Sequence, residues 1–79
     1  MELSIIYPTH KDMLKVVWIE IETPKGSFVI EKGHAPMIIS LSEDKQITYQ
    51  TNAGPQYSKK IAGGIAHITR SGVSIFVDQ

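Results

Sequence analysis

The sequence contains no cysteine, so no disulfide staples it, no thiolate binds a metal and no cysteine nucleophile is available. It also lacks net charge: 8 Lys+Arg balance 8 Asp+Glu, a formal net charge of +0 at pH 7. That excludes the broad basic field on which non-specific binding to nucleic acid or anionic lipid depends. No run approaches the ~18 consecutive apolar residues of a membrane span. Met1-Glu2-Leu3-Ser4 has no basic region leading into an apolar one and no small-residue cleavage site, so nothing there marks the chain for secretion. A cytoplasmic setting is the default expectation, and the missing cysteine fits a reducing compartment. Catalytic signatures are missing too. There is no Gly-rich phosphate loop, no His-Glu-x-x-His, no Gly-x-Ser-x-Gly elbow and no run of acidic calcium ligands.

What remains is a chain of 79 residues with 42% hydrophobic content, which is normal for a folded globular domain. At this length only one core fits, so residues 1–79 are expected to form one domain. A chain so small buries ~60–65% of its extended surface on folding, near the lower limit for stability without staples. Stabilisation by a partner is therefore expected.

Periodicity points to strands. In Val17-Trp18-Ile19-Glu20-Ile21-Glu22, Val17, Ile19 and Ile21 face one side and Glu20 and Glu22 the other, the period of two of a half-buried strand. Leu3-Ser4-Ile5-Ile6-Tyr7, Ile47-Thr48-Tyr49-Gln50-Thr51 and Val73-Ser74-Ile75-Phe76-Val77 follow the same logic. Met37-Ile38-Ile39-Ser40-Leu41 is more uniformly apolar, as expected of a strand covered on both faces. Turns are expected at Thr23-Pro24-Lys25-Gly26, Glu43-Asp44-Lys45, Asn52-Ala53-Gly54-Pro55 and, as a tight hairpin, Ser71-Gly72. No long amphipathic stretch escapes a Gly or Pro. The expected fold is all-β: a small antiparallel β-sandwich or flattened barrel of about 8–10 short strands.

Single residues carry little chemistry. His10, His34 and His67 are widely scattered, a spacing that favours no metal site, so no metal or other cofactor is expected. His10 reads as a turn residue and His67 as part of an exposed strand face. Glu20 and Glu22 place their carboxylates roughly 6–7 Å apart on one strand. Glycosidase pairs have a similar separation but flank a cleft from different strands, so a solvated face is the simpler account. Trp18, on the face of Glu20, reads equally as a sheet-covering residue or an interface anchor. Lys59-Lys60 after Tyr57 suggests nucleic-acid contact only weakly in a neutral protein, and a lysine-guarded strand edge explains it better. No nucleic-acid partner and no enzymatic activity are expected.

Two segments add a more specific reading. One is Gly26-Ser27-Phe28-Val29-Ile30-Glu31-Lys32-Gly33-His34-Ala35-Pro36-Met37. The other is Ala62-Gly63-Gly64-Ile65-Ala66-His67-Ile68, leading on to Val73-Ser74-Ile75-Phe76-Val77-Asp78. Together they resemble the N-terminal β-sandwich domain of the epsilon subunit of F-type ATP synthases, called delta in mitochondria. Leu3, Ile5 and Pro8 match the opening strand of that family, so the resemblance covers essentially the whole chain. Val29 stands where the family often has Gly, Glu31-Lys32 replace a Leu-Pro-like pair, Leu14-Lys15 replace a Gly-Glu pair, and His67 stands at an often acidic position. Locally, Gly33 permits positive φ before His34 and Pro36 fixes φ as the next strand begins. Gly63-Gly64 allows a sharp bend where a side chain would clash.

The resemblance implies a non-catalytic subunit of the central stalk (the rotor), peripheral to the cytoplasmic face of the membrane and without a transmembrane segment. Its implied partners are the gamma subunit and the c-ring, between which it couples ion flow to ATP synthesis. Carried over by position, His34, Ala35, Pro36 and Ser40 correspond to the gamma contact. Gly26, Ser27 and Phe28 correspond to the c-ring contact, and Gly33, Gly63 and Gly64 are structural. Most bacterial relatives continue into an inhibitory C-terminal helical hairpin, which this sequence is expected to lack. The alternative is an unrelated all-β module that binds a peptide or glycan.

Overall fold

The described residues form eight strands: β1 (Glu2–Ile6), β2 (Lys11–Thr23), β3 (Gly26–Glu31), β4 (Met37–Leu41), β5 (Lys45–Thr51), β6 (Gln56–Ile61), β7 (Gly64–Ile68) and β8 (Gly72–Val77). The structure, a computed structural model, describes residues 1–41 and 45–78. Of the turn expected at Glu43-Asp44-Lys45, only Lys45 lies within the described residues, where it opens β5.

The strands form two sheets that share β2. The first runs β4-β7-β8-β1 and takes in the N-terminal part of β2. The second holds the rest of β2 between β3 and β5, with β6 at its far edge. The β-sandwich expected from periodicity is thus present, with two departures. First, the pairings are antiparallel except that β1 runs parallel to β8. Second, β2 is not short: it has 13 residues. At ~3.3 Å per residue such a strand reaches about 40 Å, too long to lie straight along either 27 Å axis of the molecule.

A β-bulge takes up the difference. The β2–β5 register shifts between Val16 and Trp18, so Val17 is the extra residue. Val16 is fully buried, whereas Val17, expected to point inward, is 48% exposed. The bulge resets the alternation and bends β2 from one sheet into the other.

Inward positions then alternate as a sandwich requires. Leu3, Ile5, Ile19, Ile21, Ile68 and Ile75 are all at 0% exposure, and burying each such side chain stabilises by about 1.5–3 kcal/mol. The expectation for β4 is overturned: it is an edge strand with one covered face, Ile39 and Leu41 lying inside while Ile38 is 70% exposed. Its outward face has no cover among the described residues. The β7–β8 turn centres on Arg70-Ser71, closed by Thr69 N donating to Gly72 O at 2.9 Å. Gly72, expected in the turn, already opens β8.

On the side of β6 the sandwich is closed by Lys59. Its Nζ donates to Tyr7 Oη at 3.4 Å and stands 3.8 Å from Asp12 Oδ2, while Tyr7 stacks on His10 with centroids 4.3 Å apart. Burial draws the Lys59 pKa down, but the Tyr7 hydrogen bond and the charges of Tyr7, Tyr49 and Asp12 outweigh it and hold the pKa above its ordinary 10.5. A raised folded-state pKa stabilises fully below the unfolded value and is lost as pH rises through the folded one. Lys59→Ala should therefore cost less than about 1 kcal/mol at neutral pH, because the pair is partly solvated. The gap to wild type in urea denaturation should close above pH 10.5. A gap that persists there would assign the loss to packing rather than charge.

Candidate functional site

The two outer faces of the sandwich differ in chemistry. On the second sheet, β2 presents Trp18, Glu20 and Glu22 beside Thr48 and Gln50 of β5 and Gln56, Ser58 and Lys60 of β6. These groups satisfy one another in part: Trp18 Nε1 donates to Gln50 Oε1 at 2.9 Å, and Thr48 Oγ1 lies 3.0 Å from Ser58 Oγ. Trp18 is thus a sheet-covering residue with its polar atom paired inside the chain, and Glu20 and Glu22 share a solvated polar face.

The outer face of the first sheet carries an apolar ridge among polar residues. Register places Ser40 of β4, Ile65 of β7, Phe76 of β8, Ile6 of β1 and Lys11 of β2 in one row. The next row holds Ile38, His67, Ser74, Ser4 and Met13. Ile38, Met13, Ile65 and Phe76 are exposed by 70%, 58%, 48% and 47%. Exposed apolar side chains gathered on one sheet are characteristic of interaction surfaces. The site residues expected from sequence include only Ser40 of these rows. The readable signal for the rest was Ile, Ile and Phe at outward positions of β4, β7 and β8, where a solvated face would carry polar residues.

The β2–β3 turn adjoins this face. Pro24 and Lys25 connect Thr23 to Gly26, Thr23 Oγ1 donating to Gly26 O at 2.7 Å and accepting from Lys25 N at 3.2 Å. Ser27 is exposed and Phe28 is 39% exposed. Phe28, the turn and Met37–Ser40 line an open groove of about 460 Å³. Phe28, expected in one contact, therefore shares a groove with Ser40, expected in the other, while Gly26 and Ser27 do not line it.

The loop carrying His34, Ala35 and Pro36 lies beyond the other end of β3. Gly33, at φ +88°, adopts a backbone conformation that other residues take at a cost. Its N–H donates to Arg70 O at 3.0 Å, tying the loop to the β7–β8 turn, and His34 N–H donates to Glu31 O at 3.1 Å, closing the loop on the end of β3. The His34 ring is half-buried, with Nδ1 2.8 Å from Ala35 O. A carbonyl oxygen only accepts, so Nδ1 carries the proton and that donor is used inside the chain. Nε2 is the atom left for a partner, and in a neutral ring it accepts. Gly63 and Gly64 lie where β7 begins, with Asp78 N donating to Gly63 O at 3.1 Å.

Among the described residues no cluster of His, Asp and Glu could hold a metal ion, and no helix is long and apolar enough to cross a membrane. The profile of the ATP synthase delta/epsilon chain beta-sandwich domain matches residues 1–79. The chain belongs to this family. No curated protein sequence matches it. Solved ATP synthase assemblies contain chains of similar fold. One belongs to the OSCP/F1/c-ring of the Euglena gracilis mitochondrial ATP synthase in rotational state 1 (TM-score 0.83, 21% identity, 98% of this chain and 49% of that one). Another belongs to the central stalk and c-ring of the Tetrahymena thermophila mitochondrial ATP synthase (TM-score 0.79, 16% identity, 100% of this chain and 63% of that one). The delta/epsilon sandwich here thus spans 49% and 63% of the length of those chains.

Proposed function

We propose that this delta/epsilon β-sandwich is a non-catalytic part of the central stalk of an F-type ATP synthase. In this reading it is peripheral to the membrane and holds the gamma subunit on the c-ring so that ion flow drives ATP synthesis. The observation that carries the reading is the apolar ridge on the outer face of the first sheet, continuous with Ser40 and with the rigid His34–Pro36 loop, in a chain of this family. Gamma covers that face, and the β2–β3 turn with Gly26, Ser27 and Phe28 meets the ring. Binding is then apolar burial at the centre, with polar contacts at the rim.

Calorimetric titration of the chain with its gamma subunit tests this directly. Saturable binding is expected; absence of binding together with a micromolar glycan or peptide ligand would favour a binding module instead. His34→Ala should weaken gamma binding by about 1–2 kcal/mol, the worth of a buried interfacial hydrogen bond through Nε2. Unchanged affinity would leave His34 as a loop-bracing residue only.

A further inference from the structure

The outer face of the first sheet is not uniformly apolar. Beside the Ile65–Phe76–Ile6 ridge it sinks into a trough of about 300 Å³, lined by Glu2, Ser4, Thr69, Ser71, Gly72, Val73 and Ser74. The depression follows from side-chain size. Ser4 and Ser74 stand opposite each other on β1 and β8, and Gly72 stands opposite Glu2, so small residues neighbour one another where the adjacent row carries Ile6 and Phe76.

The polar groups of the trough divide in two. Thr69 Oγ1 donates to Gly72 O at 3.2 Å and lies 3.3 Å from Ser71 Oγ, so these hydroxyls have partners within the chain. The hydroxyls of Ser4 and Ser74, both half-buried, have no such partner among the described residues. Glu2 is the only charged residue of the lining. Lys15 is its cross-strand neighbour, yet Lys59–Asp12 is the only ion pair among the described residues.

We propose that the trough seats a cationic side chain, an arginine or lysine, of the partner that covers the apolar ridge. Two serine oxygens and one carboxylate all accept hydrogen bonds, which suits an N–H donor carrying positive charge. An apolar group there would strip water from the two serine hydroxyls without replacing it, and an anion would meet Glu2. The partner surface is therefore apolar over Ile65, Phe76 and Ile6 and basic over Ser4, Ser74 and Glu2. This rests on the gamma-docking reading above and adds the chemistry that sets register on the sheet.

Titration of the gamma subunit against four chains tests it: wild type, Glu2→Lys, Ser74→Val and Phe76→Asp. Trp18 fluorescence from the opposite sheet checks the fold of each. Glu2→Lys should weaken binding about 10-fold or more and flatten its salt dependence, and Ser74→Val should weaken it about 5-fold by filling the trough. If Phe76→Asp weakens binding while Glu2→Lys and Ser74→Val do not, the trough proposal is overturned and the docking reading stands. If wild type fails to bind, both fall.

Discussion

Phe76→Asp should reduce gamma binding about 100-fold or more while leaving the fold intact. Phe76 is 47% exposed, points away from the core and stands between Ile65 and Ile6 in the apolar row. Under a covering partner its ring would be fully desolvated, the setting in which an aromatic anchor contributes most to binding. An aspartate there loses the ring contact and forces a carboxylate out of water among the apolar side chains of Ile65 and Ile6. The combined loss of about 3–4 kcal/mol corresponds to roughly 100- to 1000-fold in Kd. Since the side chain faces outward and is not part of the core cluster, the unfolding free energy in urea followed at Trp18 should change by no more than about 0.5 kcal/mol. Glu20→Ala, on the outer face of the second sheet, serves as the control and should leave gamma affinity unchanged. Equal affinities for Phe76→Asp and wild type would remove the first sheet from the interface.

Gly64→Ala should be the most damaging small substitution for stability. Gly64 has φ +147°, and a Cβ there would collide with the Phe76 carbonyl oxygen and lie 3.0 Å from Val77 Cα. Those obstacles are backbone. Gly64 is also held from both sides, by Leu41 on β4 and Val77 on β8, so relief requires prising strands apart. A loss of about 3 kcal/mol or more is expected, corresponding to more than about 10 °C in Tm for a domain of this size. Gly33→Ala separates the two contributions: its φ of +88° is also unfavourable, yet a Cβ there meets nothing within 4 Å. That variant should cost only about 1 kcal/mol, the conformational part alone. Thermal melts giving the same loss for both would refute the steric account of Gly64.

Much of the sandwich was legible because strands with one covered face write their burial as alternation. Leu3 and Ile5, Ile19 and Ile21, and Val73, Ile75 and Val77 all point inward as their period of two requires. Val17 broke the pattern because a bulge shifts the phase without a local sequence mark: Val16 and Val17 are the same residue type, and only pairing with β5 decides which is inside. The parallel pairing of β1 with β8 was equally hidden, since strands far apart in sequence leave no turn to read. The apolar run at Met37–Leu41 was informative in a different way. Ile38 is uncovered, so the run does not mark a strand covered on both faces; in the docking arrangement proposed here a partner supplies the second cover. Of the expected contact residues, Ser40 and Phe28 fell together around one groove, while the ridge of Ile65 and Phe76 went unnoticed because each residue alone is an unremarkable strand residue.

The sharing of β2 between both sheets has a mechanical consequence. Force applied along a strand strains every rung of its ladder at once, whereas peeling breaks rungs one by one. In the docking arrangement proposed here, a twist entering through the apolar ridge of the first sheet leaves at the β2–β3 turn. Between them runs one uninterrupted covalent backbone from Lys11 to Thr23. Torque would therefore be carried by peptide bonds braced in shear by β1, β3 and β5, with no side-chain contact between sheets as the weakest link.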